Sequence, residues 1–133
     1  MEFTTEYEFE VDGYPCLVVM CETFGYRLGY VGVPVGHPLY GCHYDDVDVK
    51  CHGGPSWSGF REDSPMWFLG FDCAHICDWF PGLMHPDFVA LERHFAKVFR
   101  LPKIPREERD LWYVIDNCMH LAAAFKAVAD VAI

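Results

Sequence analysis

Strict alternation of polar and apolar residues near the start of the chain is the feature that most constrains the fold. In residues 6–12, with the sequence EYEFEVD, apolar side chains alternate with Glu and Asp. Because successive side chains of a β-strand point to opposite faces, this segment is predicted to be a strand with an apolar inner face and an acidic outer face. Asp12-Gly13 is typical of a tight hairpin turn, so a second strand is predicted at residues 16–20.

Four further strands are predicted from short apolar or alternating runs bounded by glycine, proline and aspartate. They cover residues 27–33, 47–51, 57–60 and 66–71, and residues 34–41 form a turn-rich loop between the first two. The sheet is therefore expected to form from the first half of the chain.

Two helices are predicted after the last strand. Pro86 and Asp87 suit a helix start, and apolar residues recur at helical spacing until Pro102 ends the helix. Pro105, followed by Glu107 and Glu108, predicts the start of a second helix. Its apolar stripe consists of Leu111, Val114, Ile115, Cys118, Ala122, Phe125 and Ala129. We therefore expect a single α+β domain over residues 1–133, with a mostly antiparallel sheet of about five or six strands and two C-terminal helices packed on it.

The balance of charges limits the classes of partner. The chain carries 10 Lys and Arg against 20 Asp and Glu, a formal net charge of −10. Such a surface repels phosphate backbones, so direct nucleic-acid binding is disfavoured, whereas a basic protein surface would be attracted. The longest apolar runs are shorter than the ~20 residues that cross a bilayer, and the acidic N-terminus differs from a signal peptide. We therefore expect no membrane association and a cytoplasmic location.

Seven cysteines in a chain without an export signal indicate free thiols or metal ligands rather than a disulfide framework. Cys73, His75 and Cys77 alternate, so a continued strand would place them on one face, and Cys51-His52 could complete a zinc site. Since no Cys-x-x-Cys pair is present, buried thiols are the favoured interpretation. We therefore predict no bound metal and no cofactor.

The segment GFDCAHICD, at residues 70–78, concentrates carboxylates, thiols and an imidazole after the last predicted strand. Its Asp and His side chains could act with His52 as an acid–base group, or they could brace loops by hydrogen bonds. They could also line a pocket for a small polar molecule. Stacking side chains for such a pocket would come from Tyr30, Tyr40, Trp57, Trp67 and Trp79.

Several strings in this order resemble a family of small phage and prophage proteins. They are GYVGVP at 29–34, GHPLYG at 36–41, a segment ending in HGG at 48–54, GFDCAH at 70–75 followed by Asp78, and the helix start at 110–114. Cys77 stands where this family usually has glycine, which argues against Cys77 as a zinc ligand, and residues 55–57 also depart from the family pattern.

This resemblance implies a phage-type accessory protein that acts by binding in the host bacterial cytoplasm, and inhibition of a host defence system is the role it suggests. The expected target is a small polar or nucleotide-like ligand or a basic host protein surface, and the oligomeric state is left open. The alternative is a small hydrolase, metal-dependent or His/Asp-based, at the same residues. The predicted ligand-binding residues are His37, Tyr40, His52, Asp72, His75 and Asp78.

Overall fold

The computed structural model describes residues 1–100 and 105–132. Within them, five strands are formed: β1 (Phe3–Val11), β2 (Tyr14–Cys21), β3 (Arg27–Val33), β4 (Trp57–Phe60) and β5 (Trp67–Asp72). They make an antiparallel sheet with the order β1-β2-β3-β5-β4. Two helices follow, α1 (Pro86–Phe99) and α2 (Leu111–Val131). The predicted α+β class with an antiparallel sheet is confirmed.

The N-terminal hairpin forms as its alternation predicts. Asp12 and Gly13 have φ angles of 50° and 87°, and positive φ at both central residues is the geometry of a type I′ hairpin turn. The first strand begins at Phe3 rather than residue 6, and its pairing with β2 is interrupted by a β-bulge between Thr5 and Tyr7. Glu8 and Glu10 face solvent as predicted, and Glu6 pairs with Arg27. The predicted apolar inner face of β1 is only partly covered, since Tyr7 is 47% exposed.

Helix α2 covers one face of the sheet with the predicted apolar stripe. Close approach is possible because Gly29 of β3 has no side chain: a Cβ there would lie 2.3 Å from the Phe71 ring and 2.9 Å from Cys118 Sγ. The helix therefore fixes the main core against β2, β3 and β5. Its buried residues are Val114, Ile115, Cys118, Leu121, Ala122 and Phe125.

The strand predicted at residues 47–51 is wrong. Val47 N–H donates to Tyr44 O at 3.2 Å, and the place beside β5 is taken by β4. The alternating residues Val47, Val49 and Cys51 do contact the core, so the pattern correctly predicted which side chains face the core. The segment is held instead by a side chain of α2, because His52 N–H donates to Asn117 Oδ1 at 2.9 Å.

The predicted start of the second helix at Pro105 is also wrong. Glu107–Glu108 forms a short strand, β7, which pairs in parallel with β6 (Asp78–Trp79). The helix begins after Asp110, whose carboxylate accepts a hydrogen bond from Tyr113 N–H at 2.8 Å. This is the N-cap geometry that aspartate favours, and it brings the residues before α2 next to Asp78.

Helix α1 starts at Pro86 as predicted, because the His85 ring caps it by accepting from Asp87 N–H at 3.2 Å. The predicted stop at Pro102 lies outside the described residues. The helix does not pack on the sheet: it contacts the 3₁₀-helix Pro81–Met84, and none of its described side chains is buried. No helix among the described residues is long and apolar enough to span a membrane.

Two phenylalanines test which helix carries the core. Phe125 in α2 is fully buried, whereas Phe99 in α1 is 62% exposed. We expect Phe125→Ala to lower the free energy of unfolding by about 3–5 kcal/mol, because it leaves a cavity. The same substitution at Phe99 should cost less than ~0.5 kcal/mol. Urea denaturation measures both, and equal losses would contradict the assignment of the core to α2.

Candidate functional site

A buried carboxylate, Asp78, joins three separate segments of the chain. Its side chain is fully inaccessible. The carboxylate oxygens accept from His52 Nε2 at 2.8 Å, from the His75 backbone N–H at 2.9 Å and from Arg109 Nε at 2.9 Å. We refer to Asp78, His52, Arg109 and Tyr113 as the Asp78 network. Each oxygen of Asp78 is occupied, so this carboxylate is a structural hub.

Burial alone would raise the pKa of Asp78, because it disfavours the charged form. Hydrogen bonds from His52, Arg109 and the His75 backbone N–H stabilise the carboxylate and outweigh burial, so the pKa of Asp78 lies below its ordinary value. Asp78 is therefore an anion near neutral pH, and the Arg109 guanidinium balances its charge.

The His52 ring is enclosed by hydrogen bonds on both sides. Nε2 contacts Asp78, and Nδ1 lies 2.7 Å from the Tyr113 hydroxyl. Because a carboxylate only accepts hydrogen bonds, Nε2 carries the proton, and in the neutral ring Tyr113 O–H donates to Nδ1. The side chain is 7% exposed. Both ring nitrogens are used within the protein, so His52 holds its loop in place.

Arg109, Tyr113 and Asn117 complete this region and were missed by the sequence analysis. They are spaced four residues apart, so they lie on one side of α2 and the turn before it. The Arg109 guanidinium also stacks over the Tyr113 ring at 4.8 Å. The nearest sequence signal was the helix start at 110–114, which indicated a helix and gave no reason to expect contacts with His52.

His75 is fixed by the network through its backbone. Asp78 N–H donates to His75 O at 2.9 Å, closing a turn around the bond from His75 N–H to the Asp78 carboxylate. The ring packs so closely on Gly53 that a Cβ there would lie 2.2 Å from His75 Nε2. The backbone turn and the glycine together leave the ring in one position.

The buried Nε2 atom of His75 has no hydrogen-bond partner among the described residues. Asp72 Oδ1 is the neighbouring acceptor, at 3.5 Å, which is too long for a hydrogen bond. Asp72 instead accepts from Ser56 Oγ at 2.9 Å and from Ala74 N–H at 3.1 Å. The His75 side chain is 35% exposed, so the rest of the ring remains available to a ligand.

A pocket of about 470 Å³ opens beside His75. Two of its lining residues, Gly82 and Phe24, are in close contact: Gly82 N–H donates to Phe24 O at 2.7 Å, and a Cβ at Gly82 would lie 2.9 Å from that oxygen. Arg106 also lines the pocket and brings a guanidinium group to it, beside the imidazole of His75. The apolar walls come from Phe24, Tyr26, Ile76, Phe80, Leu83 and Phe88.

His37 and Tyr40 lie elsewhere. His37 Nε2 donates to Phe125 O at 2.8 Å while its Nδ1 accepts from Leu39 N–H, and the Tyr40 hydroxyl donates to Pro65 O at 3.0 Å. Since twelve residues separate Tyr113 from Phe125 on α2, the two regions are about 18 Å apart along the helix. The structure thus brings together His52, Asp72, His75 and Asp78, and it places His37 and Tyr40 as braces of the 34–41 loop.

The cysteines do not form the arrangement considered from the sequence. Because β5 ends at Asp72, Cys73, His75 and Cys77 do not share a strand face, and burial raises the pKa of Cys73 to about 12. Ligand atoms of His52, Cys77 and Asp78 lie within 4.8 Å of one another. They fit a metal poorly, since Asp78 is already neutralised by Arg109 and both His52 nitrogens are hydrogen-bonded.

Comparison with known proteins does not assign a family. No protein-family model, no curated protein and no solved structure matches the chain. The resemblance to small phage and prophage proteins therefore stays a prediction, and the function has to be argued from the site itself.

Neutralising the Asp78 carboxylate should lower the free energy of unfolding. Asp78→Asn removes the buried anion that His52 and Arg109 share, and it leaves the Arg109 guanidinium, which is 15% exposed, with the exposed Glu107 carboxylate as its ion-pair partner. We expect a loss of about 3 kcal/mol in unfolding free energy at pH 7. As a control, Asp45→Asn, at a side chain that is 75% exposed, should cost less than ~0.5 kcal/mol.

The stabilisation by Asp78 should also depend on pH. Because the folded-state pKa of Asp78 is lowered, its contribution is fully present above the ordinary value of 3.8 and is lost as the pH falls through the folded-state pKa. Urea denaturation of wild type and Asp78→Asn at pH 7 and pH 3 measures this difference. A gap that stays constant or widens at pH 3 would contradict the charged hub.

Substitution of two adjacent glycines allows the cost of backbone strain to be measured apart from the cost of a steric clash with His75. Gly53 and Gly54 have φ angles of 69° and 78°, but only a Cβ at Gly53 would meet a neighbour, the His75 ring. Alanine at either position should cost roughly 1–2 kcal/mol for its left-handed backbone. We expect Gly53→Ala to cost at least ~1 kcal/mol more, because it displaces His75. Equal losses in urea denaturation would show that His75 is not held by this contact.

Proposed function

We propose that this protein is a binding protein for a small ring-containing, nucleotide-like molecule, held in the pocket beside His75. The observation that supports this proposal most strongly is a pocket with aromatic and aliphatic walls that His75 helps to line. The position of His75 is fixed by Gly53 and by the Asp78 network. Its volume lies in the range typical of small-molecule sites, about 300–1,000 Å³.

The lining chemistry fits a flat ring. Phe24, Tyr26, Phe80 and Phe88 offer faces or edges for aromatic contact, and aromatic pairs gain about 0.5–1.5 kcal/mol beyond their buried area. His75 and Arg106 add hydrogen-bonding groups that can orient a ring with polar edges. A few polar groups on apolar walls are the usual pattern of a selective small-molecule pocket.

The geometry supports binding more strongly than hydrolysis. An acid–base group must reach the proton that it transfers, yet His52 and Asp78 are turned inward and their polar atoms are already paired. Near the pocket, the remaining histidine–carboxylate pair is His75 and Asp72, at 3.5 Å. The Asp78 network accordingly serves as the support that places His75.

On the resemblance alone, we propose that the protein is a phage-type accessory protein of the host bacterial cytoplasm, where it would sequester a nucleotide-like molecule used by a host defence system. A basic host protein surface is the second candidate target. That candidate is favoured by β1, an edge strand with exposed glutamates at residues 8 and 10, in a chain of net charge −10.

Filling the pocket tests the proposed function. Ala74 is exposed and lines the pocket, so Ala74→Phe should preserve the fold and obstruct the ligand. We expect at least a tenfold loss of affinity, or ~1.4 kcal/mol, for those nucleosides or nucleotides that bind wild type in isothermal titration calorimetry. His75→Ala should weaken the same ligands.

Ala127→Phe, at an exposed position of α2, is the matched control and should bind like wild type. Thermal unfolding gives a second readout, since ligand at 100 times its Kd stabilises by ~2.7 kcal/mol. Absence of binding across nucleobases, nucleosides and nucleotides, or binding unaffected by Ala74→Phe, would refute the pocket as the ligand site.

A further inference from the structure

We infer that the pocket selects an uncharged heteroaromatic ring, a nucleobase or nucleoside, over its phosphorylated form, and that Glu92 determines this selectivity. The inference rests on the proposed function and deepens it. Arg106 is the arginine among the pocket's lining residues, and a guanidinium is the group that would be expected to bind a phosphate.

Arg106 is already engaged on two sides. Its Nε donates to Ile76 O at 3.1 Å, and its terminal nitrogen forms an ion pair with the Glu92 carboxylate of α1. The guanidinium is 24% exposed and Glu92 41% exposed. A phosphate entering the pocket would have to displace the Glu92 carboxylate, which belongs to the same chain and already balances the charge of Arg106.

The surrounding negative charges also disfavour a phosphate in the pocket. Asp72 lies behind His75 at 3.5 Å, and the chain as a whole carries a net charge of −10. A dianionic phosphate is repelled by such a field, whereas an uncharged ring is not. The apolar walls interact with the ring itself, so the affinity for the base is retained. The phosphate group weakens binding, because it is repelled by the surrounding negative charge.

Glu92 also connects the pocket to α1. The ion pair with Arg106 and the contact of Phe88 with the pocket come from the same helix, one turn apart. Neutralising Glu92 should free the guanidinium for a ligand anion while leaving the walls in place. Glu92 is thus a specificity-determining residue rather than a residue needed for ring binding.

The experiment compares four nucleosides with their 5′-monophosphates by isothermal titration calorimetry at constant ionic strength. For wild type, we expect the best nucleoside to bind at least tenfold more tightly than its monophosphate. For Glu92→Gln, the monophosphate should gain at least fivefold in affinity while the nucleoside changes by less than twofold. Glu62→Gln removes the same charge from the exposed β4–β5 turn, at the opposite end of β5 from Asp72, and should change neither.

The outcomes separate the two proposals. A wild-type preference for the monophosphate, or equal gains from Glu92→Gln and Glu62→Gln, would overturn the selectivity inference and leave the pocket as a binding site. Absence of binding by every nucleoside and every monophosphate to wild type and both variants would overturn the proposed function together with this inference. Circular dichroism of both variants confirms that α1 is retained.

Discussion

The buried Asp78 carboxylate is the interaction on which the rest of the site depends. A charge removed from water must be compensated, and Asp78 is compensated by Arg109, His52 and a backbone N–H. These partners come from the turn before α2, the loop after residue 51 and the turn after β5. One carboxylate therefore joins three connections that lie outside the five-stranded sheet, and it does so at the place where the sheet, α2 and the pocket meet.

The same logic explains why the polar residues of this region divide into two layers. His52 forms hydrogen bonds with Asp78 and Tyr113, and Arg109 forms them with Asp78 and Glu107, so these side chains stabilise the scaffold. His75 contributes its backbone to that layer and its ring to the pocket, beside Asp72 and Gly53. A binding site built in this way needs little reorganisation on ligand entry, because its central side chain is already held.

Local patterns predicted much of the fold and only part of the site. The alternation in residues 6–12 and the stripe of α2 were sufficient because each element buries a regular face. The segment at 47–51 has the same alternation, but β4 occupies the place beside β5. The start of α2 depended on the cap at Asp110. His52, Asp72, His75 and Asp78 were found as chemistry-bearing residues, but their roles depended on Arg109, Tyr113 and Gly53, whose contacts are long-range. The pocket aromatics, Phe24 and Phe80 among them, carry no local signal that separates them from core residues.

The central claim is that an uncharged ring binds at the His75 pocket on a scaffold held by Asp78. A ¹H–¹⁵N correlation titration with each of the four nucleosides tests it most directly, because every backbone amide reports its own surroundings. For at least one nucleoside we expect saturable shifts at residues 24–26, 74–83 and Arg106, with little change in β1 or in the turn between β4 and β5. Saturable shifts confined to β1, or no shifts with any nucleoside at millimolar concentration, would contradict it.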